Sequence, residues 1–347
     1  MNKQTPQNLG YFFPAEFSPH KATWLSWPHN QASWPGKINT IFKSYCEFIK
    51  YLSTSEEVHI NICSPEMQTF ASEQILNITS NLDNIFFHQF PSNDAWCRDH
   101  GPAFLINDNL IERKIIVDWN YNAWGNKYPP FDLDDKIPTL IGQYYNIPVY
   151  YPEIIMEGGS VDFNGAGTLI TSESCLLNPN RNKHLNKIQI EQKLIDFYGV
   201  EQILWVEDGI VGDDTDGHVD DTVRFVNHNT VIAVVESKKN NANYQLLQNN
   251  LKRLKKMQLI NGSKLNIIEL IMPSDIVYQN QLLPASYANF YICNKYVIVP
   301  TFRVKEDDIA LKTIMAAFPQ HEVIGIDSFD IIWGLGSFHC LSQQEPL

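Results

Sequence analysis

Six turn-rich polar blocks punctuate the chain at nearly even intervals, and this spacing constrains the fold more than any single motif. They are Ala22–Pro28 (ATWLSWP), Asp94–Pro102 (DAWCRDHGP), Glu157–Gly165 (EGGSVDFNG), Asp213–Asp221 (DDTDGHVDD), Leu283–Tyr291 (LPASYANFY) and Gly334–Cys340 (GLGSFHC). Their starts lie 72, 63, 56, 70 and 51 residues apart. An interval of about 60 residues suits a repeated supersecondary unit, each presenting one loop to a common centre, as in a propeller. The blocks share no sequence with one another, so the repeat is expected in structure alone.

Between the blocks, short apolar runs bounded by Gly, Pro, Asn or Asp read as strands: Glu57–Cys63, Thr168–Thr171, Thr230–Val235 and Tyr296–Pro300. Amphipathic segments with helical spacing cover Ile38–Leu52, Lys187–Tyr198, Tyr244–Met257 and Asp307–Phe318. Their alternation from end to end indicates α/β architecture. No linker, low-complexity stretch or shift in composition divides the chain, so residues 1–347 read as a single domain.

Charge narrows the partners. With 26 Lys+Arg against 39 Asp+Glu the net charge is −13, which opposes binding to a phosphate backbone and suits a cationic partner. No apolar run approaches the roughly 20 residues that span a bilayer, so no membrane is expected. The start of the chain shows no basic segment leading into an apolar one. Six cysteines (46, 63, 97, 175, 293 and 340) are scattered without a CxxC pair, which fits free thiols in a reducing, cytoplasmic setting. A homo-oligomer is compatible with these features and implied by none of them.

Chemistry concentrates in four blocks. In DDTDGHVDD, five acids surround His218, and on a strand His218 and Asp220 would share a face. Three readings fit: an acidic surface turn, a His-x-Asp metal site, and an acid/base histidine beside a carboxylate that holds a cation. In GLGSFHC, glycines flank Cys340, a small buried hydrophobe or a nucleophile. As a nucleophile it needs a remote histidine, and His218 fits. DAWCRDHGP offers Trp96, Arg98 and Asp99, where an Arg–Asp pair at a turn is the bland alternative. Glu157 directly precedes two glycines, as it also would in a simple turn. Asn178–Asn182 (NPNRN) is a turn by composition, without assigned chemistry, and the tryptophans read as packing.

Taken in order, ATWLSWP, DAWCRDHGP, EGGSVDFNGAGTLITSESCLLNPNRN, DDTDGHVDDTVRFV, LPASYANFYI and GLGSFHCLSQQEP resemble the agmatine deiminase family, related to bacterial-type peptidylarginine deiminases in the guanidino-group-modifying superfamily. The resemblance covers roughly Phe12 to Pro346. It implies the pentein fold, a five-bladed pseudosymmetric α/β propeller of ββαβ-like units forming one catalytic domain. It also implies Cys340 as nucleophile, His218 as acid/base, Asp99 and Asp220 as guanidinium holders, Glu157 as the residue that orients His218, and Trp96 as pocket lining. Many relatives carry an unbroken glycine run where this chain reads Gly-Leu-Gly-Ser.

The implied reaction converts agmatine and water to N-carbamoylputrescine and ammonia, within polyamine synthesis, and requires no metal or organic cofactor. Carboxylates near Cys340 should raise its pKa until a bound guanidinium offsets them. Asp214, with Asp213 and Asp216, is expected at an acidic pocket mouth that favours agmatine over arginine. Deimination of arginine or peptidyl-arginine, a metallohydrolase and an inert pentein binding protein are the alternatives.

Overall fold

The computed structural model describes residues 4–347. Five sheets of three or four strands repeat one plan. The first holds β1 (His20–Ser26), β2 (Glu57–Asn61) and β3 (Ile85–His88). The second holds β4 (Ala103–Ile106), β5 (Lys114–Val117) and β6 (Val149–Tyr150), and the third β7 (Val161–Phe163), β8 (Thr168–Ser172) and β9 (Gln202–Val206). The fourth is β10 (Val223–Asn227), β11 (Thr230–Val235) and β12 (Asn266–Ile271). A short hairpin, β13 (Val277–Tyr278) and β14 (Gln281–Leu282), leads to the fifth sheet of β15 (Tyr291–Ile292), β16 (Tyr296–Thr301) and β17 (Glu322–Asp327). Finally β18 (Ser342–Pro346) returns to pair antiparallel with β1.

In the second to fifth sheets the first two strands are antiparallel and the last two parallel. In the first sheet β18 takes the antiparallel place beside β1, which runs parallel to β2. A parallel step needs a long crossover. The helices Ile38–Ser53, Ile137–Tyr145, Lys187–Tyr198, Asn243–Leu254 and Asp307–Ala317 supply one each. The helical and strand segments expected from periodicity are therefore present, with ends shifted by up to three residues. Strand β2 stops at Asn61 because Ser64 caps the next helix, Pro65–Leu76, accepting from the Met67 N–H.

The helix Ile38–Ser53 shows why these segments fold as they do. Ile38, Ile41, Phe42, Tyr45, Phe48, Ile49 and Leu52 recur at three- and four-residue steps, and all are buried. Asn186 and Gln189 form a capping box at the start of Lys187–Tyr198, and Gly199 ends it at φ 66°. A Cβ on Gly199 would lie 2.0 Å from the Tyr11 carbonyl oxygen, so only glycine fits there.

Five of the six polar blocks lie wholly or partly in connections from one sheet to the next, which explains their spacing. The exception corrects the sequence reading. Ala22–Pro28 is mostly strand β1, with Trp24 and Leu25 fully buried, because strand-forming aromatic and aliphatic residues outweigh its Ser and Pro. Among the described residues no helix is long and apolar enough to cross a membrane.

Candidate active site

Four of the sheet-to-sheet connections bring their polar residues together. Asp99 sits in the helical turn Cys97–His100, Glu157 immediately before the turn Gly158–Ser160, and His218 immediately before Val219–Asp221, which contains Asp220. Cys340 closes the turn that feeds β18. All five are buried, at 6% exposure or less. Their convergence is tightest at Gly159. A Cβ there would meet His218 Nδ1 at 2.6 Å, Asp99 Oδ1 at 2.9 Å and Asp220 Oδ2 at 3.1 Å. The glycine after Glu157 is thus a requirement of close approach, not of a turn alone.

His218 is fully buried, and both ring nitrogens lack a hydrogen-bond partner. Nδ1 lies 3.7 Å from Asp99 and Nε2 3.9 Å from Glu157, too far for good hydrogen bonds. Burial pushes its pKa down to about 3, more than the nearby Asp220 charge restores, so the imidazole is neutral. Glu157 is anchored on one oxygen by Arg181 Nε at 2.9 Å, while its other oxygen is unpartnered. Burial raises its pKa, and the Arg181 guanidinium opposes that rise.

Cys340 Sγ lies 3.0 Å from Asn289 Nδ2, which donates to it, and 3.6 Å from Asp220 Oδ2. Burial, then the charges of Asp220, Asp221 and Asp99, hold the thiol well above its ordinary pKa. Asp220 accepts from His339 Nδ1 at 2.7 Å, and its Oδ1 is free. Against the upward push of burial, that bond and the His339 charge draw Asp220 below the usual carboxylate range. Asp99 accepts from Trp124 Nε1 and from the Gly159 N–H, both at 2.9 Å. Burial and then repulsion from Asp220 and Glu157 nonetheless drive its pKa well up.

Asp99 and Cys340 open onto a cavity of about 580 Å³, which Trp96 lines together with Trp124 and Asp214. Trp34 stacks on Trp96 with ring centroids 5.1 Å apart. The acidic mouth is smaller than the sequence suggests. Asp213 is spent on building its own turn, accepting from the Thr215 and Gly217 backbone N–H groups. Asp216 pairs with Arg181 and with Lys127 at 2.8 Å. Only Asp214 of the three lines the cavity, and Lys127 lies 3.4 Å from it.

Arg98 and Asp99 do not form the pair that the bland reading of their turn allowed. Arg98 instead bonds Glu16 at 3.0 Å and Gln344 at 2.6 Å, fixing the turn of Asp99 against β18. Sequence reasoning missed three residues. Arg181, in the stretch read as a plain turn, bonds Glu157, Asp216 and the Thr215 carbonyl. Asn289, inside a recognised block, touches Cys340, Asp220 and Asp221. Trp124 holds Asp99 from a left-handed backbone position at φ 56°.

Glu157, Cys175 and His218 have ligand atoms within 4.8 Å of one another, the separation a metal site needs. Arg181 already occupies one Glu157 oxygen, and burial holds the Cys175 thiol well above its ordinary pKa, so the cluster lacks the thiolate that a metal ion would need there.

A mixed α/β fold that gathers a thiol, an imidazole and carboxylates beside one cavity defines a thiol-dependent class of enzyme. Within it, the chain belongs to the Porphyromonas-type peptidyl-arginine deiminase family, whose model matches residues 12–346. A Legionella pneumophila protein provisionally named agmatine deiminase is 34% identical, over 100% of this chain and 98% of its own. The solved agmatine deiminase of Enterococcus faecalis is similar with a TM-score of 0.93 and 31% identity, covering 100% of this chain and 98% of that one. A cysteine-to-serine variant of the C. jejuni agmatine deiminase, described with substrate bound, has a TM-score of 0.87 and 34% identity over 96% of each chain.

Proposed function

We propose that this protein is an agmatine deiminase, hydrolysing agmatine to N-carbamoylputrescine and ammonia, a step toward putrescine. One observation carries the reading. Of eleven buried side-chain atoms without a partner among the described residues, four are Glu157 Oε2, Asp220 Oδ1 and the two ring nitrogens of His218. Unpaired buried acceptors are costly, and this cluster fits a planar cation rich in N–H donors. A guanidinium gripped by Asp99 and Asp220 would satisfy the carboxylate oxygens and the one unprotonated nitrogen of His218, and set its carbon before Cys340 Sγ.

The chemistry follows from the pKa pattern. In the free enzyme the thiol keeps its proton and His218 is neutral. The incoming cation offsets the carboxylates, and His218 takes the thiol proton. Sulfur attacks the guanidinium carbon, and His218 returns the proton to the nitrogen that leaves as ammonia. A water molecule, deprotonated by His218, then attacks the thiouronium carbon, and the ureido product departs as the thiol reforms. Glu157, fixed by Arg181, orients the imidazole.

Agmatine is favoured over arginine because four aspartates (94, 99, 134 and 214) line the cavity and no described lysine or arginine does. A dication suits those walls, whereas the carboxylate of arginine finds no counter-charge. We extend the proposal to the architecture: the five sheets are blades about a pseudo-fivefold axis in one catalytic domain spanning residues 1–347. The repeated strand plan and the β18–β1 pairing support it. Six free cysteines suit a cytoplasmic setting.

The test is ureido-product formation from agmatine, arginine and a blocked arginyl peptide. We expect kcat/KM for agmatine at least about a hundredfold above either other substrate, falling with added salt. Comparable values would transfer the assignment to arginine or peptidyl-arginine.

A further inference from the structure

A second thiol–imidazole pair stands apart from this site. Cys63 follows β2 and immediately precedes Ser64, the N-cap of the helix Pro65–Leu76. His29 Nε2 lies 3.7 Å from Cys63 Sγ, and His29 Nδ1 meets the Trp27 carbonyl oxygen at 2.9 Å. A carbonyl only accepts, so it fixes a proton on Nδ1 and leaves Nε2 to receive the proton of the thiol.

The Ser92 carbonyl lies 3.5 Å from the same sulfur. Ser92 is 3% exposed, and its hydroxyl lacks a hydrogen-bond partner. Cys63 is half-buried rather than sealed, and His29 lines the cavity that Cys340 also lines.

We propose that Cys63 and His29 form an oxidant-reactive thiolate site that takes a small hydroperoxide, with the free Ser92 hydroxyl as donor to the peroxide oxygen. With hydrogen peroxide, the Cys63 thiolate attacks one oxygen. The S–O bond forms, the O–O bond breaks, and two electrons pass from sulfur to the peroxide. The departing hydroxide takes the proton from His29 Nε2 and leaves as water, giving a sulfenic acid and a neutral imidazole. The electrostatics agree with the geometry. Burial pushes the Cys63 thiol up, but the effects opposing it, led by the hydrogen bond with His29, bring the thiol below its ordinary value. Burial likewise opposes the charge on His29, yet Cys63 and the Trp27 carbonyl raise that group to about 9.

The experiment treats wild-type protein with one equivalent of hydrogen peroxide in the presence of dimedone, which traps sulfenic acids, and reads each cysteine peptide by mass spectrometry. We expect the Cys63 adduct to exceed that on any other cysteine by at least about tenfold, and His29→Gln to reduce it by a similar factor. Ser92→Ala should reduce it less. Adduct forming first on Cys340 or another cysteine of the wild type would overturn the proposal without recourse to any variant. Equal labelling of Cys63 in a folded His29→Gln protein would overturn it too. The readout is an adduct mass, so it is independent of turnover on agmatine.

Discussion

Around Cys340 the charged neighbours are carboxylates, Asp220 at 3.6 Å with Asp221 and Asp99 also raising the thiol, beside the neutral Asn289 amide at 3.0 Å. Around Cys63 the polar neighbours are an imidazole at 3.7 Å and the Ser92 carbonyl at 3.5 Å, with no carboxylate among the described residues in contact with the sulfur. Both sulfurs have a histidine within their environment, but the charge field sets their protonation in opposite directions. The lesson concerns what a nucleophile is waiting for. Cys63 carries its counter-charge with it, whereas Cys340 lacks one until a cation arrives. On the proposed assignment, a substrate that supplies the missing charge activates the thiol that attacks it, and a neutral electrophile gains no such help.

Exchanging the sulfurs breaks this comparison most directly. Cys340→Ser and Cys340→Ala should lower kcat by at least about 10³-fold with the circular dichroism spectrum unchanged, whereas Cys63→Ser should keep kcat within about twofold. A few per cent of residual turnover in either Cys340 variant would remove the covalent route. The two histidines separate next. His218→Gln should cost about 10²–10⁴-fold in kcat, and loss of its role would show equally in kcat/KM.

Arg181→Met asks what holds the carboxylate side in place. Arg181 and Glu157 side chains are both fully buried, so stranding the carboxylate should cost roughly 3–5 kcal/mol, read from urea unfolding. Arg181→Lys should not restore it, because three guanidinium nitrogens reach three separate partners. Alkylation then sharpens the contrast. After correction for intrinsic reactivity, a cationic haloacetamidine should outpace iodoacetamide at Cys340 by about tenfold or more, with no such preference at Cys63. Equal rates at Cys340 would sink the charge-coupling account.

The smallest effect is in binding. Burial first, and then Asp220 and Glu157, push Asp99 toward its protonated form, and a bound guanidinium favours the ionised one. Binding therefore releases a proton. Affinity of the Cys340→Ala variant for agmatine should rise with pH until free Asp99 ionises, and level off above that. Titration calorimetry in buffers of different ionisation enthalpy measures the released proton, and no buffer dependence would refute the assignment.

Much of this arrangement was legible from residue order. The helix Ile38–Ser53 declared its buried face through three- and four-residue spacing, and the blocks around Asp99, Glu157, His218 and Cys340 were recognisable because each combines chemistry with a turn. Arg181 was not, since a four-residue helical turn, Pro179–Asn182, has too little length for periodicity, and its composition reads as loop. Asn289 meets Cys340 across 51 residues, a contact that no local pattern encodes. The acidic mouth misled for another reason. Spacing cannot tell a carboxylate that faces a cavity from one that, like Asp213, folds back on its own backbone.

The pairing of β18 with β1 has a consequence in time. Trp24 Nε1 reaches Glu345 across 321 residues. At about 5–20 residues per second, β1 leaves the ribosome roughly a quarter of a minute to a minute before its antiparallel partner exists. One edge of the first sheet stays open for that interval, the kind of exposed edge that chaperones shield. Cys340 arrives with the same late segment. The carboxylates of Asp99, Glu157 and Asp220 are all synthesised earlier, so on the proposed assignment the groups that would hold the cation leave the ribosome before the thiol that would attack it.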